Sequence, residues 1–459
     1  MPPRELTSSE LATRTIHRRA VEAVIWGMPI VNFDLMYQAG VRLGAAFNQI
    51  VYWSRLLDWK NQTLTPNPNA IYLMPFFNTQ DVGPVVLEIP PADEGSINGN
   101  VDDAWQTALE DVGPAGFDKG NGGKYMILPP GYQDKVPDAY IPLPSRTHTG
   151  FGLLRSILKG GNEVDLAKAV AYGKRIKLYP LSQAANPSPT TFVDAIDAVF
   201  DSTIPYDVRF FQSLARMVQT ELWMERDRAM IDQLKSIGIE KGKPFNPDAK
   251  TQQILNNAAQ EAHALLDVIY ESAYSPSYFD GTQWALPIWP EVVEGQSTCF
   301  ANPNVYPVDG RGATYSMAFI GAKHLGTGQY YLMAMKDKQG QLLKGAVTYR
   351  LTVPANVPVK QYWSVTAYDR DTHALIRNMP RATRSSQNLD LKKNTDGSVD
   401  LYFGPKAPAG KESNWIPTDP KGGFELMLRL YGPEKALFDK TWTLPDIDQI
   451  AAGQAEEAA

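Results

Sequence analysis

Gln361-Tyr362-Trp363-Ser364-Val365-Thr366-Ala367-Tyr368-Asp369 alternates its side chains with the two-residue period of an extended strand. Trp363, Val365, Ala367 and Asp369 fall on one side, and Ser364, Thr366 and Tyr368 on the other. One face is therefore mostly apolar and suited to a core, while the other carries hydroxyls. Segments of the same character surround it. Residues 329–335 and 346–353 flank the turn-forming Asp337-Lys338-Gln339-Gly340, 389–391 and 399–403 flank Asp396-Gly397, and 424–430 supplies a last strand.

Working towards the N-terminus, residues 162–263 read as helical. Leu166, Val170 and Tyr172 lie in one segment, Phe210, Leu214, Met217, Leu222 and Met224 in another, and the alanine- and leucine-rich 252–274 continues the pattern. Before them, 71–76, 84–89, 124–128 and 150–154 are short extended runs between Gly, Pro, Asp and Asn clusters, the spacing of a sandwich or jelly roll. The first sixty residues are helical again. Thr7 with Glu10 has the form of a capping box, and Leu11, Ile16, Ala20 and Val24 follow at near-helical spacing. Gly27-Met28-Pro29 is expected to interrupt this helix, and a second one is expected from Asp34 through Tyr37, Val41, Leu43 and Ile50 towards Trp53. The expected fold class is α+β: two β-sandwich (jelly-roll-like) modules with an N-terminal helical segment and a helical insert between them. The segments run 1–60 (helical), 61–160 (N-terminal sandwich), 161–280 (helical insert), 281–450 (C-terminal sandwich) and 451–459 (a frayed tail).

Composition narrows the function classes. With 44 basic against 50 acidic side chains and a net charge of −6 over 459 residues, the chain lacks the basic footprint of a nucleic-acid binder. A single cysteine, Cys299, excludes an intrachain disulfide framework and a cysteine-rich metal site, and reads as a small buried hydrophobe. The longest apolar run, residues 23–31, contains a proline and is about half the length of a membrane span. The opening Met1-Pro2-Pro3-Arg4-Glu5-Leu6 lacks the order of an export signal, so a cytoplasmic chain is expected, or a periplasmic or secreted one had a signal been removed.

Several motifs together carry a family resemblance. They are 361–369, Ile376-Arg377-Asn378, Asp396-Gly397-Ser398, Ser413-Asn414-Trp415-Ile416-Pro417 and Leu428-Arg429-Leu430-Tyr431-Gly432-Pro433. In that order they resemble the domain of unknown function numbered 1214. The run Thr65-Pro66-Asn67-Pro68-Asn69-Ala70-Ile71-Tyr72, with Gly83-Pro84-Val85-Val86-Leu87-Glu88-Ile89-Pro90 behind it, resembles its usual N-terminal partner, numbered 1254. The resemblance implies two β-sandwich modules accompanied by helices, in proteins of bacterial type that are often exported, and it implies no reaction. The family's N-terminal motif usually reads Pro-Asn-x-Asp-Thr-x-Tyr, whereas Asn69-Ala70 stands here in place of Asp-Thr.

No standard catalytic signature is present. There is no His-Glu-x-x-His helix, no Gly-x-Ser-x-Gly elbow, and no nucleotide or flavin motif; Gly120-Asn121-Gly122-Gly123-Lys124 has the wrong spacing for a phosphate loop, and Gly326-Thr327-Gly328 lacks a third glycine. The five histidines, His17, His148, His263, His324 and His373, show no regular ligand spacing. His148 and His324, placed in loops, are the better metal candidates, and a metal held by residues distant in sequence is left open. Asn67, Asn69 and Tyr72 place two amides and a phenol at a turn leading into a strand, groups able to hold a substrate carbonyl or hydroxyl and to move a proton. Asp369 lies at the end of its strand, Arg377 and Asn378 follow, and Arg429 is suited to an anionic ligand. Trp363 and Trp415 are candidates for stacking. The expected function is an enzyme acting on a small organic molecule without a nucleotide cofactor, hydrolysis being one such reaction. Tyr72 and Asp369 are its expected proton-transfer groups, and Asn67, Asn69, Trp363, Arg377, Asn378, Trp415 and Arg429 its substrate-binding groups. The alternative is a non-catalytic binder of a carbohydrate or apolar metabolite. The expected partner is a small-molecule ligand, with homo-oligomerisation left open.

Overall fold

The structure, a computed structural model, describes residues 6–450; the tail expected from 451 lies outside the described residues. The chain opens with a helix, Ser8–Val41, capped as its sequence predicts: Thr7 Oγ1 accepts from Glu10 N–H at 3.2 Å and Glu10 Oε2 accepts from Thr7 N–H at 2.9 Å. The expected break at Pro29 does not occur, and the helix runs straight through it. Tertiary packing outweighs the lost N–H here, because nearly every residue from Ala20 to Asp34 is buried, against the helices Val208–Thr220, Ala249–Ser272 and Val308–Ala313 among others. The proline leaves the Ile25 carbonyl without its helical donor, and Gly312 passes that carbonyl so closely that a Cβ there would lie 2.9 Å from it. The second expected helix ends early. After Gly44, whose φ is +88°, the chain becomes a strand, Gln49–Tyr52, because Ile50 and Tyr52 fill one core and Val51 another.

Two sandwiches follow. In the N-terminal one, a six-stranded sheet runs in the order Phe192–Asp194, Gln49–Tyr52, Ile71–Asn78, Thr149–Ser156, Ile97–Asp103, Ala108–Val112. It packs on a four-stranded sheet of Lys177–Pro180, Val85–Ile89, Gly123–Leu128 and Ile141–Pro144. Ile71, Leu73, Phe77, Val85, Leu87, Tyr125 and Ile127 lie in the core between them. In the C-terminal one, the sheet Gln329–Ala334, Phe424–Pro433, Val359–Asp369, Thr383–Ser385 packs on the sheet Trp415–Pro417, Val399–Gly404, Tyr349–Val353, Asp448–Gln449. Leu332, Val365, Leu426 and Leu428 meet Leu351, Leu401 and Phe403 there.

The expected helical insert is shorter than its sequence suggests. Between Glu163–Gly173 and Val208–Thr220 the chain returns to the N-terminal sandwich as the strands Lys177–Pro180 and Phe192–Asp194, and Leu222 and Met224 fall beyond the helix end. Residues 389–391 form no strand, and Leu389 is exposed. The strand Ile97–Asp103 was hidden by its Asn and Asp content, and Ala108–Val112 by its brevity and its central Glu110-Asp111 pair. Asp337 to Gly340 does form a turn, but the strands on either side of it join different sheets.

Each inner sheet has a second buried face. Val51, Met74, Phe76, Phe151 and Leu153 from the N-terminal sandwich and Tyr331, Met333, Tyr368 and Met427 from the C-terminal one enter a single core with the helices. Gln106 ties the helix layer down. Its Nε2 donates to the Pro29 carbonyl at 2.9 Å and to Asn32 Oδ1 at 2.7 Å, and its own carbonyl accepts from Gln296 and Tyr315. Among the described residues no helix is long and apolar enough to cross a membrane.

Gln106→Leu strands the buried Asn32 amide oxygen without this donor, so a loss of about 1–3 kcal/mol is expected. Chemical denaturation measures it, and an unchanged midpoint would mean that the helix docks without this amide.

Candidate ligand site between the two sandwiches

The chain from Asn61 to Ala70 leaves the N-terminal sandwich and lies against the inner sheet of the C-terminal one. Gln62 Nε2 donates to the Leu375 carbonyl at 2.8 Å, Thr65 N–H to the His373 carbonyl at 2.8 Å, and Tyr368 O–H to the Pro66 carbonyl at 2.7 Å. Asn67 is the hub. Its Nδ2 donates to the hydroxyls of Tyr362 at 3.0 Å and Tyr431 at 2.7 Å, whose rings stack with centroids 4.5 Å apart. Its Oδ1 accepts from the backbone and side-chain N–H of Asn69. Asn69 Nδ2 also donates to Thr383 Oγ1 at 3.0 Å, a bond that an ionised aspartate, having no N–H, does not make.

Strand alternation assembles the rest. Tyr72 and Arg155 are cross-strand partners on the face of the six-stranded sheet that looks away from the sandwich core. The Tyr72 oxygen accepts from Asn67 N–H at 2.8 Å and from Arg155 Nε–H at 3.0 Å. From the facing sheet, Arg429 is paired with Tyr331 across the strands, donates to the Thr65 carbonyl at 2.7 Å and to Thr366 Oγ1 at 3.3 Å, and lies over the rings of Tyr331 and Tyr368. These groups enclose a small cavity of about 20 Å³ lined by Thr65, Tyr72, Arg155, Phe319, Tyr331 and Arg429 among others. Burial pushes the phenols of Tyr331, Tyr362 and Tyr368 up, which keeps them neutral.

A wider cleft, about 890 Å³, lies elsewhere, at an edge of the N-terminal sandwich between Lys124, Lys174, Arg175 and Lys177. It is open to solvent and its charges are largely compensated: Lys124 and Lys177 reach Glu88, Arg175 reaches Asp93, and Lys174 lies over the Tyr52 and Phe192 rings. Size therefore points to one place and uncompensated chemistry to another. The small cavity is the stronger candidate, because electrostatic interactions are strong where water is excluded.

Of the residues singled out in the sequence, Asn67, Asn69, Tyr72 and Arg429 come together here. Asp369, Trp363, Arg377, Asn378 and Trp415 lie apart. Asp369 Oδ1 accepts from Asp371 and Thr372 and so orders a turn. Trp363 packs in the C-terminal sandwich core, and Trp415 Nε1 donates to the Gly404 carbonyl. Arg377 pairs with Asp201 at 2.7 Å, and Asn378, with φ +61°, sits in an exposed turn. His148 N–H donates to Glu221 Oε2, His324 approaches Glu110 at 3.8 Å, and among the described residues no three His, Cys, Asp or Glu side chains are grouped to hold a metal ion. Sequence reasoning missed Arg155 and Tyr331. An arginine at the third odd position of Phe151-Gly152-Leu153-Leu154-Arg155 is the signal that could have found the first.

One carboxyl acts on Arg155 from a distance. Asp102 is fully buried, with one hydrogen bond from Asn100 and with its Oδ1 unpartnered. Burial, reinforced by Asp103 and Asp111, holds its pKa well above the ordinary carboxylate range.

Residues 47–180 match the model of a protein of unknown function, DUF1254, and residues 328–435 that of a protein of unknown function, DUF1214. No curated protein matches the chain. Among solved structures, the VPA0106 protein of Vibrio parahaemolyticus matches with a TM-score of 0.57 at 18% identity, covering 95% of this chain and 100% of its own, so the overall arrangement recurs there. An uncharacterized protein from Burkholderia cenocepacia matches at 12% identity with a TM-score of 0.42, covering 97% of this chain and 98% of its own.

Two outcomes follow from this geometry. Asn67→Ala removes the hub of four buried hydrogen bonds, and an unfolding free energy lower by at least about 2 kcal/mol is expected from denaturant titration. For Asp102 the sign runs with protonation: a folded-state pKa above the unfolded value stabilises at low pH, and that contribution is lost as pH rises past the ordinary carboxylate range. Asp102→Asn is therefore expected to flatten the decline of the melting temperature as pH is raised; an unchanged slope would show Asp102 ionised in the fold.

Proposed function

We propose that this protein, a chain that joins a DUF1254 module to a DUF1214 module, is an enzyme that acts on a small organic molecule in the cavity between its two sandwiches, by proton transfer through Tyr72. One observation carries the reading. The Tyr72 oxygen accepts two hydrogen bonds, from Asn67 N–H and Arg155 Nε–H, and its own O–H is left to donate at a cavity that it lines. Those two donors also stabilise negative charge on the oxygen once the proton has gone. The phenol is thus equipped as a general acid, and in the reverse direction as a base.

The neighbours fit this role. Tyr72 is 3% exposed and belongs to the central core, so its orientation is held by packing. Tyr331 and Tyr368, kept neutral by burial, stand beside Arg429 on the facing sheet. In a hydrolysis, the member of this reaction class expected from the sequence, Tyr72 would protonate the leaving group as its bond breaks, and the phenolate so formed would take the proton given up by the adding water, restoring the phenol. The binding-only alternative relied on stacking by Trp363 and Trp415, which are engaged elsewhere in the C-terminal sandwich.

The test begins with a thermal-shift screen of small organic molecules, followed by NMR of each hit incubated with protein. A hit that is consumed by the wild type is expected to be turned over about 10²- to 10⁴-fold more slowly by Tyr72→Phe while still binding. Hits that bind stoichiometrically and persist would replace catalysis with plain binding, and a Tyr72→Phe protein with wild-type turnover would overturn proton transfer through Tyr72.

A further inference from the structure

The cavity between the sandwiches holds two cations and no anion. Arg155 is 6% exposed and Arg429 2%. Among the described residues neither forms an ion pair, whereas the largely buried Arg384 and Arg370 do, with Asp390 and Asp267. The partners of the two cavity arginines are neutral: a phenol for Arg155, a carbonyl and a hydroxyl for Arg429. They satisfy hydrogen bonds and leave the charges uncompensated. Arg155 Nη1 has no partner at all, though it is buried.

A guanidinium does not shed its proton inside a protein, so both charges remain. Asp102, the buried carboxyl that acts on Arg155 from a distance, forms no ion pair with it, and burial pushes that carboxyl towards its neutral form. Two fixed positive charges against one small enclosed space, with a free guanidinium N–H and a phenol O–H also present, form a recognition surface for a planar two-oxygen anion.

We propose that the substrate is an organic acid whose carboxylate enters the cavity and is held by Arg155 and Arg429. This rests on the reading of the cavity as the place where a small molecule binds, and it names the group recognised there. The space is small, about 20 Å³, so that only a small head group is enclosed there. Arg155 is then a binding residue that also orients Tyr72, so the carboxylate and the proton-transfer group are fixed by the same side chain.

The experiment follows the melting temperature of the full chain at neutral pH during titration with sodium acetate, and separately with acetamide, sodium chloride and sodium phosphate, ionic strength being held constant. Acetate is expected to raise it saturably and acetamide not to, with the apparent acetate affinity falling at least about tenfold in Arg155→Gln. Acetamide matching acetate overturns the anion proposal and leaves the cavity reading standing. Chloride or phosphate matching acetate also overturns it, by making the cavity a general anion site. If no probe moves the melting temperature, this proposal and the cavity reading fall together. Should Arg155→Gln fail to fold, the wild-type comparison of acetate with acetamide still decides.

Discussion

A buried amide cannot be left idle: each of its donors and acceptors needs a partner or imposes the cost of desolvation. Asn67 meets this demand by bonding to two tyrosines of the C-terminal sandwich and to Asn69 of its own turn, while its backbone N–H supports Tyr72. Those bonds seat the 61–70 segment on the facing sheet and set the distance between the sandwiches. The position of Tyr72, the orientation of Arg155 and the shape of the cavity all follow from that seat.

The electrostatics of the seam follow from the same geometry. Inner sheets normally bring apolar faces together, and most of this interface does so, with Met74, Phe76 and Phe151 from one side and Met333 and Met427 from the other in one core. Inserting two guanidinium groups into that layer is costly in a low-dielectric setting. The structure lowers the cost with aromatic faces and neutral oxygens, and excludes the carboxylates that would abolish the charge.

The helices serve this layer. Ser8–Val41 survives its internal proline because it is buried on nearly all sides, and Gln106 fastens it to the turn between the strands Ile97–Asp103 and Ala108–Val112. The strand Ile97–Asp103 is hydrogen-bonded to Thr149–Ser156, which carries Arg155. A continuous set of backbone and side-chain contacts therefore links the helical layer to the site.

Local pattern was enough for much of the architecture. The capping box at Thr7, the two-faced strand from 361 to 369 and the sandwich strands with apolar runs were all legible, because propensity and alternation are properties of neighbouring residues. So were four members of the site, since unusual polar residues at a turn or on a strand stand out in sequence. Legibility failed where distant packing overrode local preference, as at Pro29, at the strands 177–180 and 192–194 within an apparently helical stretch, and in the Asn- and Asp-rich strand 97–103. It failed likewise for Asp369, Trp363, Arg377, Asn378 and Trp415, whose residue types resemble those of a site but whose partners are a turn, a core or a surface ion pair. The sequence by itself determined two sandwiches with helices and a polar turn at 67–72. The tertiary structure alone decided that Arg155 and Arg429 face one cavity without a carboxylate between them, because the pairing of charges depends on which side chains meet across sheets some 270 residues apart in the chain.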